Sequence, residues 1–129
     1  MPSVSIDILR EYSREQEIDI IDAVHRAMVD SLRIPAQNVT IRLVVHAPHR
    51  FTVPPGKSDR YALVSVDLFV GRSFEAKKLL FRSMVDNLGQ LGIPSDHIKI
   101  LLREASRENW GIRGGIPASE VELGYRVDI

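Results

Sequence analysis

The sequence predicts an α+β fold in which one β-α-β unit has been duplicated, giving a four-stranded mixed sheet with two helices on one face. Three observations predict it. Apolar residues alternate in four short runs, two longer runs repeat at steps of three and four, and the two halves register on each other. Asp7 and Asp67 are 60 positions apart, as are Ser13 and Ser73 and also Glu15 and Glu75, while Ile34-Pro35 and Ile93-Pro94 are 59 apart. A repeat that occurs only once more is a duplicated unit rather than a solenoid. The expected organisation is one domain over residues 1–129, with pseudo-repeats at about 2–47 and 61–105 and a C-terminal tail over 106–129.

In the first half, Val4, Ile6 and Ile8 alternate with Ser3, Ser5 and Asp7, the period-two pattern of a strand with one buried face. Ser13-Arg14-Glu15-Gln16 has the spacing of a capping box, so a helix follows. Its apolar stripe is read as Ile18, Ile21, Val24, Met28 and Leu32, and it stops at Ile34-Pro35, where proline discourages continuation. Val39, Ile41, Leu43 and Val45 form the next strand, after a crossover long enough for parallel pairing.

Residues 47–60 hold three of the seven prolines and read as a loop. The pattern then returns. Val64, Val66 and Leu68 alternate, Gly71-Arg72-Ser73 leads into a helix carrying Leu80, Met84, Leu88 and Leu91, Gly92-Ile93-Pro94 ends it, and Ile98, Ile100 and Leu102 make a fourth strand. The tail is glycine-rich at Gly111, Gly114 and Gly115, and its last stretch, Val121 to Ile129, alternates in a way suited to pairing with a neighbour's sheet edge. A sheet covered by helices on one side leaves the other side bare. Ser3, Ser5, Leu63, Ser65 and Leu101 on that side are compatible with burial against another subunit, which predicts a symmetric homo-oligomer.

Lys and Arg total 17 and so do Asp and Glu, so no net charge draws the chain toward nucleic acid or an anionic membrane. Cysteine is absent, which excludes disulfides and thiolate metal sites. There is no basic leader followed by an apolar run, and no stretch of membrane-spanning length, so the cytoplasm is the expected location. His46 and His49 lack an obvious third ligand, so no metal is expected. Gly111 to Gly115 follows no strand-to-helix pattern and lacks a phosphate-loop lysine, so it is not a nucleotide fingerprint.

The candidate reactive group is Pro2. Removal of Met1 would leave it as a free secondary amine at the head of a strand, titrating near ~8 unless burial or neighbouring cations lower it. With Pro2, the duplicated unit, Gly71-Arg72-Ser73 and Asn109-Trp110-Gly111-Ile112-Arg113-Gly114-Gly115 in view, the sequence resembles the tautomerase superfamily. It looks like a fused two-unit member near malonate semialdehyde decarboxylase and the 4-oxalocrotonate tautomerase-like proteins.

The resemblance implies a tautomerase/MIF-like fold, a homotrimer, no cofactor and a small carboxylate substrate. It also implies Pro2 as general base and acid, and Arg72 as a second catalytic residue anchoring the carboxylate. Trp110 falls on a pocket wall, with Asn109 and Arg113 flanking it as substrate contacts. The acidic residue of the decarboxylase pattern aligns with Asn38, and one of its two arginines with Val70. A neutral amide at Asn38 cannot serve as a base, although it can contact substrate. A second arginine of the short relatives falls at Thr40 and Lys99, leaving Lys99 as the substitute. Tyr125 is a further candidate donor.

The expected activity is therefore cofactor-independent keto-enol isomerisation of a 2-oxo or 2-hydroxy-dienoic acid. The alternatives are a decarboxylase or hydratase acting on a three- or four-carbon acid through cationic Pro2, and an oligomeric binding protein whose amine is idle.

Overall fold

The computed structural model describes residues 1–129. Strand β1 (Ser3–Ile8) is followed by helix α1 (Arg14–Leu32), strand β2 (Thr40–Val45), strand β3 (Ala62–Phe69), helix α2 (Phe74–Gly89) and strand β4 (Ile98–Ala105). Two short strands, β5 (Gly111–Ile112) and β6 (Ile116–Pro117), form a hairpin beyond them. The main sheet has the order β2-β1-β3-β4. Each half contributes a parallel pair, and the halves join through antiparallel β1 and β3, where Ser3 faces Asp67 and Ile8 faces Ala62. That antiparallel joint decides which residues meet. It sets the end of β3 beside the start of β1, and the end of β1 beside the start of β3.

Alternation places Val4, Ile6, Ile8, Val64, Val66 and Leu68 on one face, fully buried together with Val24, Met28, Leu80 and Met84 of the helices. The capping box forms as the spacing predicts: the Gln16 amide donates to Ser13 Oγ at 3.1 Å, and the Ser13 amide donates to Gln16 Oε1 at 2.9 Å. Ser73 caps α2 by accepting the Ala76 amide at 3.1 Å, without a return bond, since alanine stands where Gln16 does in α1.

The stripe on α1 differs from the sequence reading. Ile18 is 55 % exposed, and the buried positions are Ile20, Ala23, Val24, Ala27, Met28, Ser31 and Leu32. Isoleucines at 18, 20 and 21 offer two overlapping stripes, and the small Ala23 and Ala27 select the one that faces α2, where Asn87 Nδ2 donates to the Ala23 carbonyl at 3.0 Å. Leu91 lies beyond the end of α2 and is 40 % exposed.

The tail is also corrected. Residues 121–129 form no strand, and they fold back over their own chain, burying Leu123 and Val127 with Phe69 and Ala118. The alternation reports an inside and an outside, but the surface it packs on is intramolecular. Gly71 makes room: its φ is 137°, and a Cβ there would lie 3.1 Å from Val127 Cγ1.

The face away from the helices carries Thr40, Ser3, Asp67 and Arg103 in one row, Arg42, Ser5, Ser65 and Leu101 in the next, and Val44, Asp7, Leu63 and Lys99 in a third. Leu101 and Val44 remain exposed on it. No helix is long and apolar enough to cross a membrane.

Candidate active site

Pro2 is buried at the head of β1, where its carbonyl accepts the Thr40 amide at 3.1 Å. Because β1 and β3 are antiparallel, the turn leaving β3 arrives at the same corner and delivers Gly71 and Arg72 from the second half to the amine of the first. Arg72 is only 5 % exposed. Its Nη1 donates to the Phe69 carbonyl at 3.4 Å, while Nε and Nη2 are buried with no partner in the chain.

Those two nitrogens form the side-on edge of a guanidinium. Elsewhere in this protein the same edge of Arg103 grips Asp67 with two bonds, at 2.8 and 3.0 Å. A buried cation without a hydrogen-bonded counter-charge is costly, and a carboxylate on that edge would relieve the cost. Burial lowers the Arg72 pKa, with Tyr125 and Glu104 opposing the shift; Glu104 is itself paired with Lys77 at 2.8 Å.

The chain-terminal amine of Met1 hydrogen-bonds to the Tyr125 hydroxyl. Desolvation and then the Arg72 charge lower its pKa from 8.0 to about 5. Met1 packs on the apolar cluster of Phe69, Ala118, Leu123 and Val127, with Trp110, Ile112 and Tyr125 along its border. Trp110 meets Phe69 edge-on, with ring centroids 5.0 Å apart and planes at 72°. Burial raises the Tyr125 pKa above 10.0, with Arg72, Arg107 and Arg113 opposing, so this phenol is protonated at neutral pH.

The corner therefore unites Pro2, Arg72 and Trp110 from the sequence reading. Asn38 ends the short turn Ala36–Asn38, two residues before Thr40, and so lies at the same end of the sheet as Pro2. Asn109 is exposed at the end of the turn Arg107–Asn109. Arg113 is exposed in the β5–β6 turn at a φ of 51°, with Nη1 donating to the Glu122 carbonyl at 3.4 Å, and its charge reaches Tyr125.

Lys99 does not join them. It pairs with Leu63 near the start of β3, at the far end of the sheet, where it lines a cleft with Phe51 and Tyr61. His46 Nε2 bonds Asp7 at 2.7 Å, and His25 Nε2 bonds the Ala36 carbonyl at 2.8 Å, so both serve the chain's own structure. Sequence reasoning missed Phe69 and Arg107. Phe69 falls out of phase with Val64, Val66 and Leu68 and is buried on the other side of β3, so alternation hides it; nothing in the sequence singles out Arg107.

Fold and corner together define a class: a duplicated β-α-β protein that sets a desolvated chain-terminal amine beside a buried arginine. Residues 40–113 match the Tautomerase_2 family, described as tautomerase enzymes, and the match includes Arg72, Asn109, Trp110 and Arg113. Over 58 residues the chain is 33% identical to a probable tautomerase of Ralstonia nicotianae, covering 44% of this chain and 81% of that protein. The chain belongs to the tautomerase family. Among solved structures, a malonate semialdehyde decarboxylase inhibited by 3-bromopropiolate is similar at 29% identity and TM-score 0.74, covering 88% of this chain and 91% of that one. A native fused 4-OT is similar at TM-score 0.84 and 18% identity, over 95% and 99% of the two chains, and shows the fold alone.

Proposed function

We propose that the protein is a cofactor-independent tautomerase of small 2-oxo or 2-hydroxy-dienoic acids, working through Pro2 once Met1 has been removed. The observation that carries this reading is the buried Arg72, with an unpartnered Nε–Nη2 edge, at the amine end of β1. That edge suits a substrate carboxylate held by two parallel bonds. The same charge, added to desolvation, lowers the Met1 amine pKa to about 5, and a Pro2 amine set in the same surroundings is expected to be neutral at pH 7, the state a general base needs.

In this mechanism neutral Pro2 takes a proton from the substrate oxygen or from carbon, and the electron pair moves through the conjugated system. The resulting dienolate is stabilised at the carboxylate end by Arg72. The ammonium of Pro2 then returns the proton to carbon, so no atom is gained or lost. Trp110, backed by the buried Phe69, supplies an apolar wall for the unsaturated chain, and Asn38, Asn109 and Arg113 border the approach.

A decarboxylase or hydratase working through cationic Pro2 is less well supported, because the corner lowers the basicity of an amine and the amide of Asn38 cannot activate water. We also infer a homotrimer. Leu63, Ser65 and Leu101 on the bare sheet face support assembly, and two similar chains of the same fold are described as fused 4-OT trimers.

Intact mass and turnover test the proposal together. Wild-type protein should lack Met1 and ketonise 2-hydroxy-2,4-pentadienoate, and Pro2→Ala should lose about 10²–10⁴-fold in kcat/KM. Equal rates for wild type and Pro2→Ala would sink it.

A further inference from the structure

The tail does more than cover the β3 turn. Leu123 and Val127 are buried on either side of Tyr125, and the Tyr125 ring packs against both the main core and the Phe69 cluster. Anchored in this way, its hydroxyl has a fixed position, and it meets the chain-terminal amine across 124 positions of sequence. We infer that Tyr125 is a further catalytic residue, its hydroxyl being the hydrogen-bond partner of the Pro2 nitrogen in the processed protein. This rests on the proposal that Pro2 is the base.

The geometry follows from chain dimensions. Consecutive Cα atoms are about 3.8 Å apart, so loss of Met1 places the Pro2 nitrogen within one residue of the atom that Tyr125 now holds. The corner offers the amine little else to bond. Arg72, on the turn after β3, is a donor only, and so are Arg107 and Arg113, which face Tyr125 from the turn before β5 and from the hairpin. Glu104 on β4 faces Arg72 and is bound to Lys77. The phenol oxygen is the acceptor left for an amine N–H, which is present in both the neutral and the protonated state.

When Pro2 is neutral, the phenol oxygen accepts its single N–H, which leaves the one lone pair directed at the substrate. When Pro2 has taken the substrate proton, the phenol oxygen accepts one N–H of the ammonium and the other N–H is left to return to carbon. Tyr125 gains and loses no proton in the cycle. Its contribution is to keep the ammonium from being the isolated cation that Arg72 and burial would otherwise make too acidic.

The test uses full-length protein labelled with 15N-proline, titrated by NMR at the terminal nitrogen, beside turnover of 2-hydroxy-2,4-pentadienoate. Tyr125→Phe keeps the ring and removes the hydroxyl. The expected result is a terminal nitrogen that titrates about 0.5–1 pH unit lower than in wild type, because the cation has lost an acceptor. Alongside it, kcat should fall about tenfold with KM within about twofold, since Arg72 still binds the carboxylate. Tyr125→Leu, which also loses the ring, reports the packing contribution by its Tm. Identical titration and kcat in wild type and Tyr125→Phe overturn the inference and leave the proline reading standing. Full activity of Pro2→Ala overturns the proline reading itself, so the two failures are distinguishable.

Discussion

The two ends of the central sheet are built to one plan and differ in how their charges are matched. At one end stand Pro2, Phe69, Arg72 and Trp110; at the other, by the offsets of 60 and 59 that relate the halves, stand Ala62, Leu9, Tyr12 and Phe51. The Ala62 end carries the largest cleft in the molecule, about 810 Å³, lined by Arg10, His46, Phe51, Lys57 and others. Yet its cations are engaged, Arg10 with Asp59 at 3.7 Å and Lys57 with Asp96 at 3.2 Å, and the His46 ring is bonded to Asp7 at 2.7 Å. Tyr61, 8 % exposed, sits where the first half has Met1.

The Pro2 end has no comparable cleft in the chain and holds a buried arginine edge without a partner. Cleft size and chemical readiness have thus parted. What marks the candidate site is an unmet charge, and duplication has supplied a twin in which every corresponding demand is satisfied.

The largest expected difference between the ends comes from removing that charge. Arg72→Gln should reduce kcat/KM on an enol acid about 100-fold, the scale of two charge-assisted hydrogen bonds. A base works only when deprotonated, so the rate rises with pH through the amine's pKa, and loss of Arg72 should move this acid limb upward, toward the ordinary amine value near ~8. At the twin, Tyr12→Phe should leave rate and limb within about twofold. Equal sensitivity of the two variants in a pH–rate series would break the comparison.

A smaller difference is expected in the turns themselves. Gly71→Ala puts a side chain at a φ of 137° and against Val127, so it should cost about 1–2 kcal/mol and lower the Tm. Glu11→Ala at the twin turn, which is exposed, should stay within about 0.5 kcal/mol. Urea denaturation of the two variants decides it. Where the halves are alike, no difference is expected: Ser13→Ala and Ser73→Ala should each cost about 1 kcal/mol, as helix caps do. A Ser73 cost well above that of Ser13 would show that the hydrogen bond from Ser73 Oγ to the Ile129 carbonyl also holds the tail.

The four strands, both crossovers and the cap at Ser13 were legible because each has a local signature: alternation, a stripe, or a serine three residues before its amide donor. Pro2 and Arg72 were legible for a different reason, through the resemblance, as a proline behind Met1 and the arginine of a Gly-Arg-Ser turn that the first half lacks. Their meeting was carried by the resemblance alone, because it depends on β1 and β3 pairing antiparallel, which alternation and repeat leave open. The tail resisted, since Leu123, Tyr125 and Val127 alternate equally well for a strand or for a strap, and sequence does not say on whose surface they lie. Ile18 was misplaced because hydrophobicity outweighed the small alanines that let the helices approach.

The bond between the first residue and Tyr125 also sets when the amine changes character. Both contributions that lower its pKa, desolvation and the Arg72 charge, belong to the folded chain, and in an unfolded chain the amine returns to its ordinary value near 8.0. It is then mostly protonated at neutral pH and a poor nucleophile. The charge state of this terminus is therefore a readout of folding, since the amine loses its proton at neutral pH only where the Tyr125 segment and Arg72 stand beside it.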